Sequence, residues 1–129
     1  MIFPAAVTGP GARPRWLLNV TNDAWFGLSS GPYQHLVSAR LRAVEEGLPM
    51  LRAANTGVSA VIDAYGRVLA ALDMQQEGII DHPIPAPRQP TPYGRWGDGV
   101  LLVWLLLATG GLVVAALFNS SKKTRNSRP

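Results

Sequence analysis

The sequence predicts a layered α/β or α+β domain followed by one membrane-spanning helix. Three observations carry this expectation. Short apolar runs of strand length surround one helix-spaced segment within residues 1–84. Prolines then crowd residues 83 to 95. Finally, Gly99 to Phe118 is a run of 20 residues without a charge.

Pro4, Gly9, Pro10, Gly11 and Pro14 argue against a long helix at the start. Trp16 to Thr21 reads as a strand, broken by the turn formers of Asn22 to Gly27. Ser29-Ser30-Gly31-Pro32 is a helix start with Ser30 as cap. Tyr33, Leu36, Val37, Arg40, Leu41, Val44 and Leu48 then recur at helical spacing, which implies one apolar face from about Pro32 to Glu46. Gly47 stops the helix and Pro49 follows. Strands are expected at Pro49–Asn55, at Val58–Ile62 and at Arg67–Leu72, the last two joined by the turn Asp63–Gly66. Glu77 to Ile84 gives one more short strand. Residues 85–98 form a linker too rich in proline for helix or central strand.

In the run 99–118 the only polar side chain is Thr109. A helix of that length covers about 30 Å, the thickness of a bilayer core. The alternative is a buried core helix, but so small a domain would struggle to surround a helix apolar on every face. Gly110-Gly111 would weaken a water-exposed helix, and Tyr93 and Trp96 suit an interface. Lys122, Lys123, Arg125 and Arg128 make residues 119–129 a basic tail, which the positive-inside rule puts in the cytoplasm. The preceding domain then faces the outside, which in a Gram-negative bacterium is the periplasm.

Composition excludes several classes. The net charge of +4 owes much to that tail, and no segment interleaves basic and aromatic residues, so no nucleic-acid partner is expected. With no cysteine, the chain has no disulfide, thiolate metal site or cysteine nucleophile. No metal-ligand spacing, phosphate loop or cofactor motif stands out. Met1-Ile2-Phe3-Pro4 lacks the basic and apolar regions of a signal peptide.

Three segments carry a resemblance. They are Asn19-Val20-Thr21-Asn22-Asp23-Ala24-Trp25-Phe26-Gly27; Gly31-Pro32-Tyr33-Gln34-His35-Leu36 leading into Ala39-Arg40-Leu41-Arg42-Ala43-Val44-Glu45; and Pro49 to Asp63 with Gly66. Together with Thr91-Pro92-Tyr93-Gly94-Arg95 before the apolar run, they resemble the C-terminal part of the apolipoprotein N-acyltransferases, a branch of the nitrilase superfamily. The resemblance implies a partial αββα sandwich. It also implies a Glu-Lys-Cys catalytic set that moves an acyl chain from phospholipid, through a thioester, to the N-terminal diacylglyceryl-cysteine of a lipoprotein. In the family the cysteine motif precedes a segment that Ile2-Phe3-Pro4 matches, so it falls upstream of Met1, with the glutamate and lysine earlier still. No catalytic residue is therefore expected here, and the chain alone is expected to be inactive. The expected location is the bacterial inner membrane. Rival readings are a nitrilase-type amidase fragment and a non-catalytic membrane-anchored module.

Asn22, Asp23, Trp25 and Phe26 follow a strand end, where sites in layered α/β folds gather. They are the candidate substrate-binding residues, shaping the acyl or lipoprotein pocket; the alternative is a turn with aromatic packing. His35 and His82 read as structural or surface residues, Arg42 pairs with Glu45 or Glu46 on the helix, and Asn55 and Gly57 serve turn geometry. Residues 1–84 are expected to fold only marginally alone, with strand edge and face open to water.

Overall fold

The computed structural model describes the backbone of residues 11–126, with side chains for 11–113 and Ala115. The chain divides into two units, Met1–Arg95 and Trp96–Pro129. In order come β1 (Leu17–Asn22), a 3₁₀ turn (Ala24–Phe26), α1 (Gly31–Glu46), β2 (Met50–Asn55), β3 (Ser59–Ile62), β4 (Val68–Leu72), α2 (Pro92–Trp96) and α3 (Gly99–Asn126).

The first unit is a mixed sheet in the order β1-β2-β3-β4. β1 and β2 run parallel, from Leu17 against Met50 to Asn22 against Asn55. Parallel neighbours need a crossover, and α1 supplies it. β2–β3 and β3–β4 are antiparallel. The turn between the last two is set by Asp63. Its carboxylate accepts from the Tyr65 and Arg67 amides at 2.9 Å, while Gly66 takes the left-handed φ of +77°.

α1 closes one face of the sheet. Leu17, Ala39, Ala43, Leu48, Met50, Ala60 and Ile62 form the core, with Leu36 against it. This corrects the expected apolar face. Leu36 and Leu48 do turn inward, but Tyr33, Val37, Leu41 and Val44 are exposed. The small side chains of Ala39 and Ala43 face the sheet instead, one turn apart, and allow close approach. The helix ends as expected: Gly47 takes φ +63° and the Leu48 amide donates back to Ala43. Ser30, by contrast, makes no side-chain cap bond; Ser29 Oγ accepts from the Gly31 amide at 3.1 Å.

Two further expectations fail. Glu77–Ile84 forms no strand. A strand needs a partner lane and free amides, and Pro83 and Pro85 have none to give. The proline-rich stretch is tied down at the end of α1. The Arg88 amide donates to Gly47 at 2.9 Å, and Arg13 donates from Nη1 to Arg88 O at 2.7 Å and from Nη2 to Glu46 O. Thr91 Oγ1 donates to Glu45 O. These donors satisfy carbonyls that a helix end leaves unpaired. The short helix α2 forms where proline density predicted none, because Pro92 occupies its first position and Thr91 caps it, accepting from the Gly94 amide at 2.9 Å.

In the second unit α3 runs from Gly99 beyond the expected end at 118. Thr109 Oγ1 donates to Leu105 O at 2.7 Å, so the one polar side chain of the run is satisfied by its own helix. Among the described residues no helix is long and apolar enough to cross a membrane. The structure therefore gives no support to the expected membrane span at 99–118; part of that run lies outside the described side chains, as do Lys122, Lys123, Arg125 and Arg128 and the Ile2-Phe3-Pro4 segment.

Candidate functional site

The C-terminal ends of the parallel strands β1 and β2 point the same way, and the chain leaves β1 there as the Asn22–Gly27 turn. This is where layered α/β folds place ligands. Asp23 follows β1 with only 1% of its surface exposed. Its amide donates to Asn55 O at 3.1 Å, fastening the turn to the end of β2.

A buried carboxylate needs partners. Asp23 finds them on three elements. Arg52, on β2 and 3% exposed, donates from Nη2 to Asp23 Oδ2 at 2.7 Å. His35, on the first turns of α1, meets Oδ1 from Nδ1 at 2.7 Å. Since an ionised carboxylate only accepts, the ring proton lies on Nδ1. Thr21 Oγ1 adds a bond of 3.4 Å. Arg52 spends its other donors on Val58 O at 3.1 Å and Asn19 Oδ1 at 2.5 Å. Both charges are thus hydrogen-bonded as well as paired, the condition under which a buried ion pair is tolerated.

Gly57 belongs to this arrangement for a reason other than the expected one. Its φ is not left-handed; that conformation falls to Thr56, at +60°. A Cβ on Gly57 would instead lie 2.8 Å from the Asp23 Cβ and Cγ. Glycine is required because the carboxylate occupies the space. Similarly, a Cβ on Gly31 would stand 2.7 Å from Phe26 Cγ.

The four candidate residues fall on one turn but in different environments. Asn22 is the last residue of β1 and opens the turn, its Oδ1 accepting from the Ala24 amide at 3.1 Å. Asp23 is the buried anchor. Phe26 is half exposed, its ring 5.9 Å from that of His35. Trp25 stands outward, 87% exposed. Leu28 beyond it is exposed too. The turn therefore presents apolar side chains from a rigid ionic base, which suits contact with an apolar ligand and supplies no nucleophile.

Arg52 and His35 were the residues that sequence reasoning undervalued. An arginine in the otherwise uncharged strand Met50–Asn55, two residues after the buried Met50 and so on the same face, was the available signal. Elsewhere Arg42 pairs with Glu45 at 2.8 Å as expected, and His82 Nδ1 bonds Pro83 O at 2.7 Å. Burial raises the pKa of Glu46; Arg42 and Arg13 oppose the rise and Glu45 adds to it. Burial acts to raise Asp63 as well, but bonds from the Arg67 amide, the Arg67 guanidinium and the Tyr65 amide outweigh it, and the pKa is lowered. Among the described residues no group of three or more histidine, cysteine, aspartate or glutamate side chains could hold a metal ion.

Residues 11–93 match the sequence model of the carbon-nitrogen hydrolases, and the chain belongs to that family. Its similarity to curated relatives narrows the branch. It is 59% identical over 97 residues to the apolipoprotein N-acyltransferase of Rhodopseudomonas palustris, covering 75% of this chain and 18% of the relative. For the protein of that name from Bradyrhizobium diazoefficiens the identity is 55% over 107 residues, covering 83% and 20%. For that of Brucella melitensis it is 46% over 117 residues, covering 88% and 22%. The chain thus spans about a fifth of the length of these relatives.

Proposed function

We propose that this chain is the C-terminal portion of an apolipoprotein N-acyltransferase and works only joined to the portion that carries the thiol. The observation behind this reading is the 59% identity to a relative of that name. In this reading the thiolate takes an acyl chain from a phospholipid as a thioester. The α-amino group of a diacylated lipoprotein's N-terminal cysteine then accepts it. The present residues contribute no catalytic group. Asn22, Asp23, Trp25 and Phe26 form one wall of the acyl or lipoprotein pocket: Asp23 fixes the turn, and Trp25 and Phe26 offer apolar surface. The anchoring of Asp23 by Arg52 and His35 supports that role.

The division proposed is residues 1–84 as nitrilase-like domain, 85–98 as linker, 99–118 as inner-membrane span and 119–129 as cytoplasmic tail. The domain then lies in the periplasm. The uncharged run and the four basic residues after it support the span. A periplasm-only reporter fused after Pro129 should stay silent, and one fused before Pro83 should be active; a signal from the first reverses the orientation.

The decisive experiment pairs this chain with the remaining portion of the Rhodopseudomonas palustris relative. The mixture is offered phospholipid and a diacylated lipopeptide in detergent. Acyl transfer should require both parts. Turnover by this chain alone, surviving repurification, would refute the reading. Amide hydrolysis without acyl transfer by the pair would favour the amidase alternative.

A further inference from the structure

α1 turns an apolar stripe to solvent. Tyr33, Val37, Leu41 and Val44 are all exposed, and their spacing of four, four and three puts them along one side of the helix. The β3–β4 turn continues this surface. Val37, Leu41 and Val44 with Arg40, Tyr65 and Gly66 line a groove there. The turn is held close, since a Cβ on Gly66 would lie 2.8 Å from Val44 Cγ2.

The rim of the groove is cationic. Arg40 Nε donates to Gly66 O at 2.7 Å. The guanidinium of Arg88 lies 4.3 Å from the centre of the Tyr65 ring, and that of Arg67 lies 5.1 Å from it. Three guanidiniums thus gather at one turn. Among the described residues the ion pairs give them one carboxylate, Asp63, which meets Arg67 Nη2 at 2.6 Å. The positive excess stands beside aliphatic side chains and an exposed tyrosine.

We propose that this face, formed by the outer side of α1 and the Asp63–Arg67 turn, rests on an anionic phospholipid surface. Aliphatic side chains enter the boundary of the acyl region, tyrosine suits the headgroup level, and arginines meet lipid phosphates. A second copy of the chain fits less well. A two-fold contact through this patch sets the same arginines against each other. The face lies apart from the Asn22–Gly27 turn and adds an interaction to the activity proposed above. It rests on that reading only in the use of α3 as an anchor for the test.

The full chain is reconstituted in nanodiscs of phosphatidylcholine alone or with phosphatidylglycerol, and amide hydrogen exchange is followed at residues 33–44 and 63–67. Exchange should slow in the anionic discs, and high salt should reverse the effect. Arg88→Gln and Arg67→Gln should each reduce the preference for anionic lipid about five-fold. Leu41→Ser, at an exposed position that leaves the ion pairs intact, should weaken it as well. Equal exchange in both discs, or protection indifferent to the arginines, overturns the proposal. So does protection that follows chain concentration rather than lipid charge, which assigns the face to a second copy. If the chain enters neither disc, the α3 span has failed instead. Flotation with anionic but not neutral vesicles then still supports the face, and flotation with neither overturns it.

Discussion

On the side of the sheet covered by α1, Leu17, Met50, Ala60 and Ile62 are buried. One residue along β1, on the other side, Leu18 is 62% exposed and Val20 72%. Ala53, which pairs with Val20, is exposed with them. Successive strand residues point to opposite faces, so the two sides are built from one backbone and differ only in their cover. The strands are apolar on both sides, as in a sheet enclosed between layers. What the comparison teaches is that the sequence is written for two covers: α1 supplies one, while on the other side Val61 of β3 is buried and the β1 end stays open. In the proposed αββα sandwich the second cover is another sheet.

The covered face also holds the buried ions, and breaking them gives the largest expected effect. Arg52→Leu strands the Asp23 carboxylate and should cost about 3–5 kcal/mol, enough to unfold a marginal domain. Loss of the cooperative urea transition, read by tryptophan fluorescence, checks this. A variant as stable as the parent would show that the pair anchors nothing. Asp23→Asn combined with Arg52→Leu should cost less than the sum of the single changes.

The second test sets the faces against each other. Ile62→Ala removes packed atoms and should cost about 2–5 kcal/mol. Val20→Ala, on the open face, should change stability by less than about 0.5 kcal/mol in the isolated chain. Joined to the thiol-bearing portion proposed above, the same Val20 change should become costly, because the face is then covered. Amide exchange on residues 11–84 should slow on that joining. Strong protection in the chain alone would mean that the open face needs no partner.

The smallest effects are in pH. The raised pKa of Glu46 means that the fold holds its proton more tightly than the unfolded chain does. Its stabilising contribution is complete at low pH and is lost as pH rises from the ordinary glutamate range through the raised value. Asp63 has the opposite sign: its lowered pKa gives a contribution present above the ordinary aspartate range and lost as pH falls through the lowered value. Glu46→Gln should flatten the decline on the alkaline side, and Asp63→Asn the decline on the acid side. Urea midpoints across pH test both, and an unchanged profile for either variant removes that group from the account.

Much of the local structure was legible because it depends on neighbours in sequence. Periodicity gives α1, Gly47 gives its end, and the Asp63–Gly66 turn follows from a short acid and a glycine at fixed offsets. The same logic fails where the partner is distant. Glu77–Ile84 has strand-like composition but finds no lane beside β4. The proline-rich stretch reads as a linker, but the bonds of Arg13 and Thr91 to the carbonyls at the end of α1 cannot be read from its composition.

The candidate site divides in the same way. The amino-acid sequence by itself determined the strand–helix–strand order, the turn that carries Asn22, Asp23, Trp25 and Phe26, the absence of a thiol, and the uncharged run of α3. Tertiary structure alone decided that Arg52, 29 residues beyond Asp23, and His35, 12 beyond it, close on its two carboxylate oxygens. It alone decided that Ala39 and Ala43 face the sheet with Leu36, while Tyr33, Val37, Leu41 and Val44 of α1 turn away. The reason is that spacing reports which residues share a face, whereas burial and ion pairing depend on which other element arrives against that face.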